Sequence, residues 1–149
     1  MKEQSVLVLI KPDGMQKAIV GEVISLFLAS DLKLKGLKLV QVPIKLAEAH
    51  YGHLRQQFFF KEIVRYLKGD LHGQCPVVAM VFNGKDAVVK CRKMAGATNP
   101  EEADPKSVRG KFGRVTTKGV FENLIHVSSD NKEARREIDL WFKKSELLK

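Results

Sequence analysis

A chain of 149 residues, 44% hydrophobic and 29% charged, is long enough to bury one core and too apolar to stay disordered. Its 26 basic and 17 acidic residues leave a formal charge of +9, which favours polyanionic partners: nucleic acid, anionic lipid surfaces or nucleotide phosphates. The apolar runs at 6–10 and 77–82 fall far short of the roughly 20 residues of a spanning helix, and two cysteines, Cys75 and Cys91, make neither a disulfide framework nor a metal motif.

Residues 5–10 form a near-continuous apolar run with β-branched members, which predicts a strand covered on both faces. Pro12-Asp13-Gly14 directly after it predicts a turn and cuts off any secretory apolar region. Val20, Val23, Ile24 and Phe27 then fall on one face of a helix. Residues 34–42 read as a second strand. Ala47, Tyr51 and Leu54 suggest a short helix, and Phe60, Ile63, Val64 and Leu67 mark another. A third strand is expected over 77–82 and a helix over 85–94. From Thr98 to Gly119 periodicity vanishes, which predicts a long functional loop. Residues 123–128 read as a fourth strand, and Asp130 with Glu133 resembles a capping box opening a helix whose Ala134, Ile138, Trp141 and Phe142 face inward. With no repeat and no linker, residues 1–149 make one domain. The alternation predicts a ferredoxin-like α/β sandwich, a four-stranded antiparallel sheet with helices packed on it.

No Walker phosphate loop, no dinucleotide-type glycine motif and no zinc helix motif occurs, so side chains would have to hold any phosphate. Arg92, Thr98 and Arg109, with Lys11 at the end of the first strand, are the candidates, since a guanidinium fork grips two phosphate oxygens at once. His126 lies near the end of the fourth strand. Roughly three quarters of an unperturbed imidazole is unprotonated and nucleophilic at neutral pH, whereas a lysine is almost wholly protonated. A lone strand histidine is more often packed than catalytic; Glu137, on the first turns of the next helix, shifts that balance because it can fold back and orient the ring.

Four ordered segments resemble nucleoside diphosphate kinases: Lys11-Pro12-Asp13-Gly14, Gly96-Ala97-Thr98-Asn99-Pro100, Val108-Arg109-Gly110 and Asn123-Leu124-Ile125-His126. Residues 76–81 and Glu137-Ile138 through Trp141-Phe142 are similar to the same family, so the resemblance spans nearly the whole chain. It implies reversible ping-pong transfer of the terminal phosphate of a nucleoside triphosphate such as ATP to a nucleoside diphosphate, through a phosphohistidine. By the same resemblance His126 is the nucleophile, Glu137 its orienting partner, and Ser128 stands beside them. Lys11 would contact the moving phosphate and the ribose, Asn123 the ribose hydroxyl, and Arg92, Thr98 and Arg109 the phosphates. Tyr51 would sit near the histidine, Phe59 and Val120 would clamp the base, and Ile63 would lie at the phosphate end. Mg2+ would arrive on the nucleotide phosphates rather than in a carboxylate cage. A cytoplasmic homo-oligomer without membrane contact is the implied setting.

Three features depart from the family pattern. Val127 follows the histidine where glycine is common, Gln57-Phe58 stand in place of Arg-Pro, and extra residues fall around 69–74 and between Arg109 and Asn123. The competing reading is a basic ferredoxin-like nucleic-acid-binding module without phosphotransfer. It draws on the charge of +9 and on Lys118-Gly119-Val120-Phe121, which echoes an RNA-recognition strand with a single aromatic. The same basic surface also fits nucleic-acid binding as a side activity of a phosphotransferase.

Overall fold

The computed structural model describes residues 2–149. The first half runs β1 (Glu3–Ile10), α1 (Pro12–Gln16), α2 (Val20–Leu28), β2 (Lys33–Val40), α3 (Ile44–His50) and α4 (Phe60–Lys68). The second runs β3 (Val77–Lys85), α5 (Ala87–Ala95), α6 (Val108–Phe112), β4 (Arg114–Val115), β5 (Phe121–Glu122), β6 (Ile125–Val127) and α7 (Asn131–Trp141). Single 3-10 turns occupy Gly52–Leu54, Pro100–Glu102 and Lys144–Glu146.

The main sheet has the order β2-β3-β1-β6, with every neighbour antiparallel, the ferredoxin-like arrangement expected from the alternation of elements. β1 is interior, so its side chains divide by the two-residue period of a strand. Val6, Val8 and Ile10 enter one core with Val23 and Phe27 of α2 and Val88 and Cys91 of α5. Leu7 and Leu9 enter the other, with Ala47 of α3, Val64 and Leu67 of α4, and Ile138 and Trp141 of α7. A strand buried on both faces must be apolar at every position, and residues 6–10 are.

The predicted elements stand, with corrections at their ends and in the long loop. Pro12-Asp13-Gly14 is the start of α1 rather than a free turn, with proline at the helix start, where its missing N–H costs nothing. Residues 98–119 are not one irregular loop. They hold a 3-10 turn, α6 and the β4 arm of a two-stranded hairpin, pieces too short to show a period. Phe121 therefore lies on a hairpin outside the main sheet, which removes the sheet-borne aromatic platform that the RNA-binding reading needs.

The fourth strand begins at Ile125, not at Asn123, because Leu124 takes a left-handed φ of 72°. Its backbone is bolted to the turn after β1: Leu124 N–H donates to Asp13 Oδ2 at 3.0 Å, and Lys11 N–H donates to Leu124 O at 2.8 Å. Gly14 permits this approach, since a Cβ there would stand 2.8 Å from the Leu124 oxygen. Val127 needs no glycine-like backbone. It sits extended opposite Val8 and is buried in the core, an environment that suits a β-branched residue. The two segments marked as extra meet each other: Arg114 Nε donates to Glu122 Oε2 at 2.7 Å, and His72 Nε2 lies 3.4 Å from Glu122 Oε1.

Candidate active site

A cleft of about 790 Å³ opens beside the end of β6. One wall is the segment from His50 to Tyr66, the other is the hairpin tip at Lys118 to Phe121, and the floor holds Lys11, Asn123 and His126. Eleven of the twelve residues singled out from sequence line it: Lys11, Tyr51, Phe59, Ile63, Arg92 and Thr98 on one set of elements, Arg109, Val120, Asn123, His126 and Glu137 on the other. Ser128 does not. It is fully buried, its Oγ accepting a hydrogen bond from Leu7 N–H at 3.1 Å and facing the Glu137 carboxyl from behind. Two residues beyond His126 and on the same strand face, Ser128 lies opposite Leu7 and meets Glu137 behind the imidazole, so its contact is with the orienting carboxyl rather than with the cleft.

β6 pairs His126 opposite Leu9, which fixes the ring at the sheet's edge. Asp130 then caps α7, its side chain accepting from Glu133 N–H at 2.9 Å, and the helix returns Glu137 beneath the imidazole. His126 Nε2 and Glu137 Oε2 are 2.6 Å apart, so Nε2–H donates to the carboxylate and Nδ1 remains for the cleft. The imidazole keeps 21% of its surface exposed while Glu137 keeps 3%.

Burial first, then the charges of Lys11, Arg109, Arg92 and His53, lower the His126 pKa to about 3. The ring is therefore neutral at every physiological pH, the state a nucleophile requires. Burial also raises the Glu137 carboxyl, with His50, Ser128 and Arg136 pulling it back.

The sequence reading missed His50. Its ring stands edge-on to that of His126, with centroids 4.5 Å apart, and its Nδ1 accepts a hydrogen bond from Trp141 Nε1–H at 3.1 Å. Burial and the neighbouring His126 hold it well below the usual histidine range. Spacing held the signal, because His50 follows inward-facing Ala47 by three residues on α3. Both histidines bind a proton less readily in the folded chain than in the unfolded one, whose imidazoles titrate near 6.5. Stability is thus expected to fall as the pH drops below about 6.5 and to keep falling towards the lowered folded values. Urea midpoints measured from pH 7.5 to 4 test this; a flat profile refutes it.

Above the ring the cations gather. Lys11 Nζ donates to Asn123 Oδ1 and lies 4.5 Å from the centroid of the Tyr66 ring. Desolvation lowers its pKa to about 8, partly offset by Asp13. Arg109 spends three N–H groups on backbone carbonyls, of Asn123 at 3.2 Å, Gly96 at 2.8 Å and Ile125 at 2.7 Å. Burial, and then Arg92, bring its pKa down to about 10, still cationic at neutral pH. Asn123 is itself a bridge, its Nδ2 donating to Thr98 O at 3.0 Å. Arg92 is exposed, and its side chain makes no hydrogen bond among the described residues. Cations around a neutral, oriented imidazole can present a polyphosphate to it, and apolar Phe59, Ile63 and Val120 extend the same cleft.

The metal-ligand candidates among the described residues are His50, His126 and Glu137, whose donor atoms all lie within 4.8 Å of one another. Two imidazoles and one carboxylate do not suit magnesium, which takes oxygen donors and water. Nor is any described helix long and apolar enough to cross a membrane.

Residues 4–147 match the family model described as nucleoside diphosphate kinase. The chain is 48% identical to a nucleoside diphosphate kinase of Picosynechococcus, covering 94% of this chain and 88% of that protein. It is 42% identical to the one of Pyrococcus horikoshii, covering 95% and 87%. Among solved structures, the Borrelia burgdorferi nucleoside diphosphate kinase, a transition-state mimic with bound vanadate and ADP, superposes with a TM-score of 0.89 at 30% identity, over 99% of this chain and 91% of that one. The Halobacterium salinarum enzyme in complex with CDP superposes with a TM-score of 0.89 at 32% identity, over 99% and 93%.

Proposed function

The chain belongs to the nucleoside diphosphate kinase family, and from that premise we propose that His126 carries the phosphoryl group between nucleotides. The protein is a nucleoside diphosphate kinase, an enzyme moving the terminal phosphate of a nucleoside triphosphate to a nucleoside diphosphate. The observation that carries the His126 assignment is the pairing of Nε2 with Glu137, which leaves one lone pair, on Nδ1, at the floor of a cation-lined cleft.

In the first half-reaction Nδ1 attacks the terminal phosphorus of the triphosphate. A P–N bond forms, the bond from phosphorus to the bridging oxygen breaks, and the diphosphate leaves with the bond's electrons. The imidazole turns cationic as it takes the group, and Glu137 balances that charge through the Nε2–H bond. A second diphosphate attacks the phosphohistidine through its terminal oxygen, and the bonds exchange in reverse. Neither half needs a proton moved, because the ring starts neutral and Nε2 keeps its hydrogen. Charge on the moving group spreads over its equatorial oxygens, and Lys11, Arg92 and Arg109 are the cations available to neutralise it, with the Thr98 hydroxyl beside them. Phe59 and Val120 would hold the base between apolar surfaces; stacking accepts any base, since every base offers a π-face. Asn123 would reach the ribose with the valences left over from Lys11 and Thr98, and Tyr51 and Ile63, which line the same cleft, would lie beside the nucleophile and at the phosphate end.

Magnesium enters as part of the substrate, bound to phosphate oxygens and water. The exposed outer strand β2, with Leu37 at 51% and Leu39 at 64% exposure, supports assembly into a homo-oligomer. The charge of +9 supports weak nucleic-acid binding as a side activity, and the free thiols Cys75 and Cys91 support a cytoplasmic setting.

Terminally labelled ATP tests the reading. The protein should acquire a label that survives alkali, is lost in acid and transfers to added nucleoside diphosphate; an alkali-labile label, or none, refutes it. Lys11 adds a pH signature. It must be protonated to attract phosphate, so kcat/KM should decline as pH rises through about 8, the value burial gives it. Lys11→Arg should move that limb to higher pH, and a limb unmoved in the variant removes Lys11 from the role.

A further inference from the structure

Phe58 is the most exposed of the large apolar side chains, at 96%. Its ring meets that of Phe59 with centroids 5.3 Å apart and planes at 84°, and both rings line the cleft. Phe59 is only half-buried itself, so the pair forms an aromatic corner at the mouth, facing the hairpin tip that bears Val120 and Phe121. A phenylalanine ring left almost wholly in water gains nothing for the fold and offers its whole apolar area to whatever enters the cleft.

We propose that Phe58 is a specificity-determining residue that closes the outer end of the base slot and favours purine over pyrimidine nucleotides. The proposal rests on the reading of the cleft as the nucleotide site. A base stacked on Phe59 lies parallel to that ring and hence nearly perpendicular to Phe58. The base and Phe58 then meet with their planes at nearly a right angle, the edge-to-face relation that aromatic pairs favour. The second ring of a purine lengthens the base and brings its far rim to Phe58, whereas a pyrimidine stops short. One such contact corresponds to a preference of about two- to tenfold.

The test loads the enzyme with label from ATP, removes free nucleotide, and follows discharge onto ADP, GDP, CDP and UDP. The purine-to-pyrimidine ratio of kcat/KM should exceed one in the native protein, fall about two- to tenfold in Phe58→Ala, and recover in Phe58→Tyr. Melting curves of both variants check that the fold is intact, as a surface position allows. An unchanged ratio in Phe58→Ala, an equal loss for all four diphosphates, or no recovery in Phe58→Tyr overturns the proposal. So does an unchanged ratio accompanied by a shift in oligomeric state, which assigns the ring to a contact between copies. Failure to form any phosphoenzyme instead sinks the underlying functional reading, so the two failures are told apart.

Discussion

His126→Gln abolishes the phosphoenzyme and lowers phosphotransfer by on the order of 10⁴-fold or more, with the fold retained. Glutamine is the informative substitution because its amide nitrogen can still donate to Glu137, as Nε2 does now at 2.6 Å. What it lacks is a basic lone pair, since the amide nitrogen's electrons are delocalised. The loss should be nearly complete because no neighbour can take over. His50 is neutral but 1% exposed, and its Nδ1 is engaged by the Trp141 indole. His53 lines the cleft yet has no carboxylate partner among the described residues to balance the charge that phosphorylation creates. Labelling followed by peptide mapping decides the matter: label persisting in His126→Gln, on His53 or elsewhere, removes His126 from the mechanism.

Strong local periodicity is what made most of the fold legible. β1 betrays its central position by five consecutive apolar residues, and α7 announces itself through a capping aspartate and an inward stripe ending at Trp141. The long loop hid α6 and the β4–β5 hairpin because a five-residue helix makes little more than one turn and a two-residue strand has no alternation to read. Leu124 failed for a different reason. Nothing in a leucine calls for a left-handed φ; the cause is tertiary, an aspartate 111 residues away that accepts its N–H and a glycine that makes room for its carbonyl. The same distinction runs through the site. His126 and Glu137 were recognisable as a pair because strand and helix are consecutive, and the cations were recognisable as phosphate chemistry. The Arg109 guanidinium's grip on Gly96, Asn123 and Ile125 was not, because side chain to backbone bonds across separate elements leave no mark in spacing.

That grip gives Arg109→Ala two separable consequences. The guanidinium holds the carbonyls on either side of Leu124 and one at the end of α5, so it braces the segment that delivers His126 to the cleft. Removing it strands three acceptors at roughly 1 kcal/mol each, about 3 kcal/mol in all, which for a domain of this size lowers Tm by roughly 6–12 °C. Phosphotransfer should fall further than stability alone predicts, by about 10²–10³-fold, because two of the five N–H donors remain free for phosphate and their charge-assisted bonds act on the moving group. Arg92→Ala separates the two effects. Arg92 is exposed and braces nothing, so its loss should weaken phosphotransfer while leaving Tm within a degree or two. If Arg109→Ala melts like the native protein, the brace is not what these hydrogen bonds supply. If instead it melts early but transfers phosphate at the native rate below its Tm, the guanidinium holds the backbone alone, and phosphate neutralisation passes to Lys11 and Arg92.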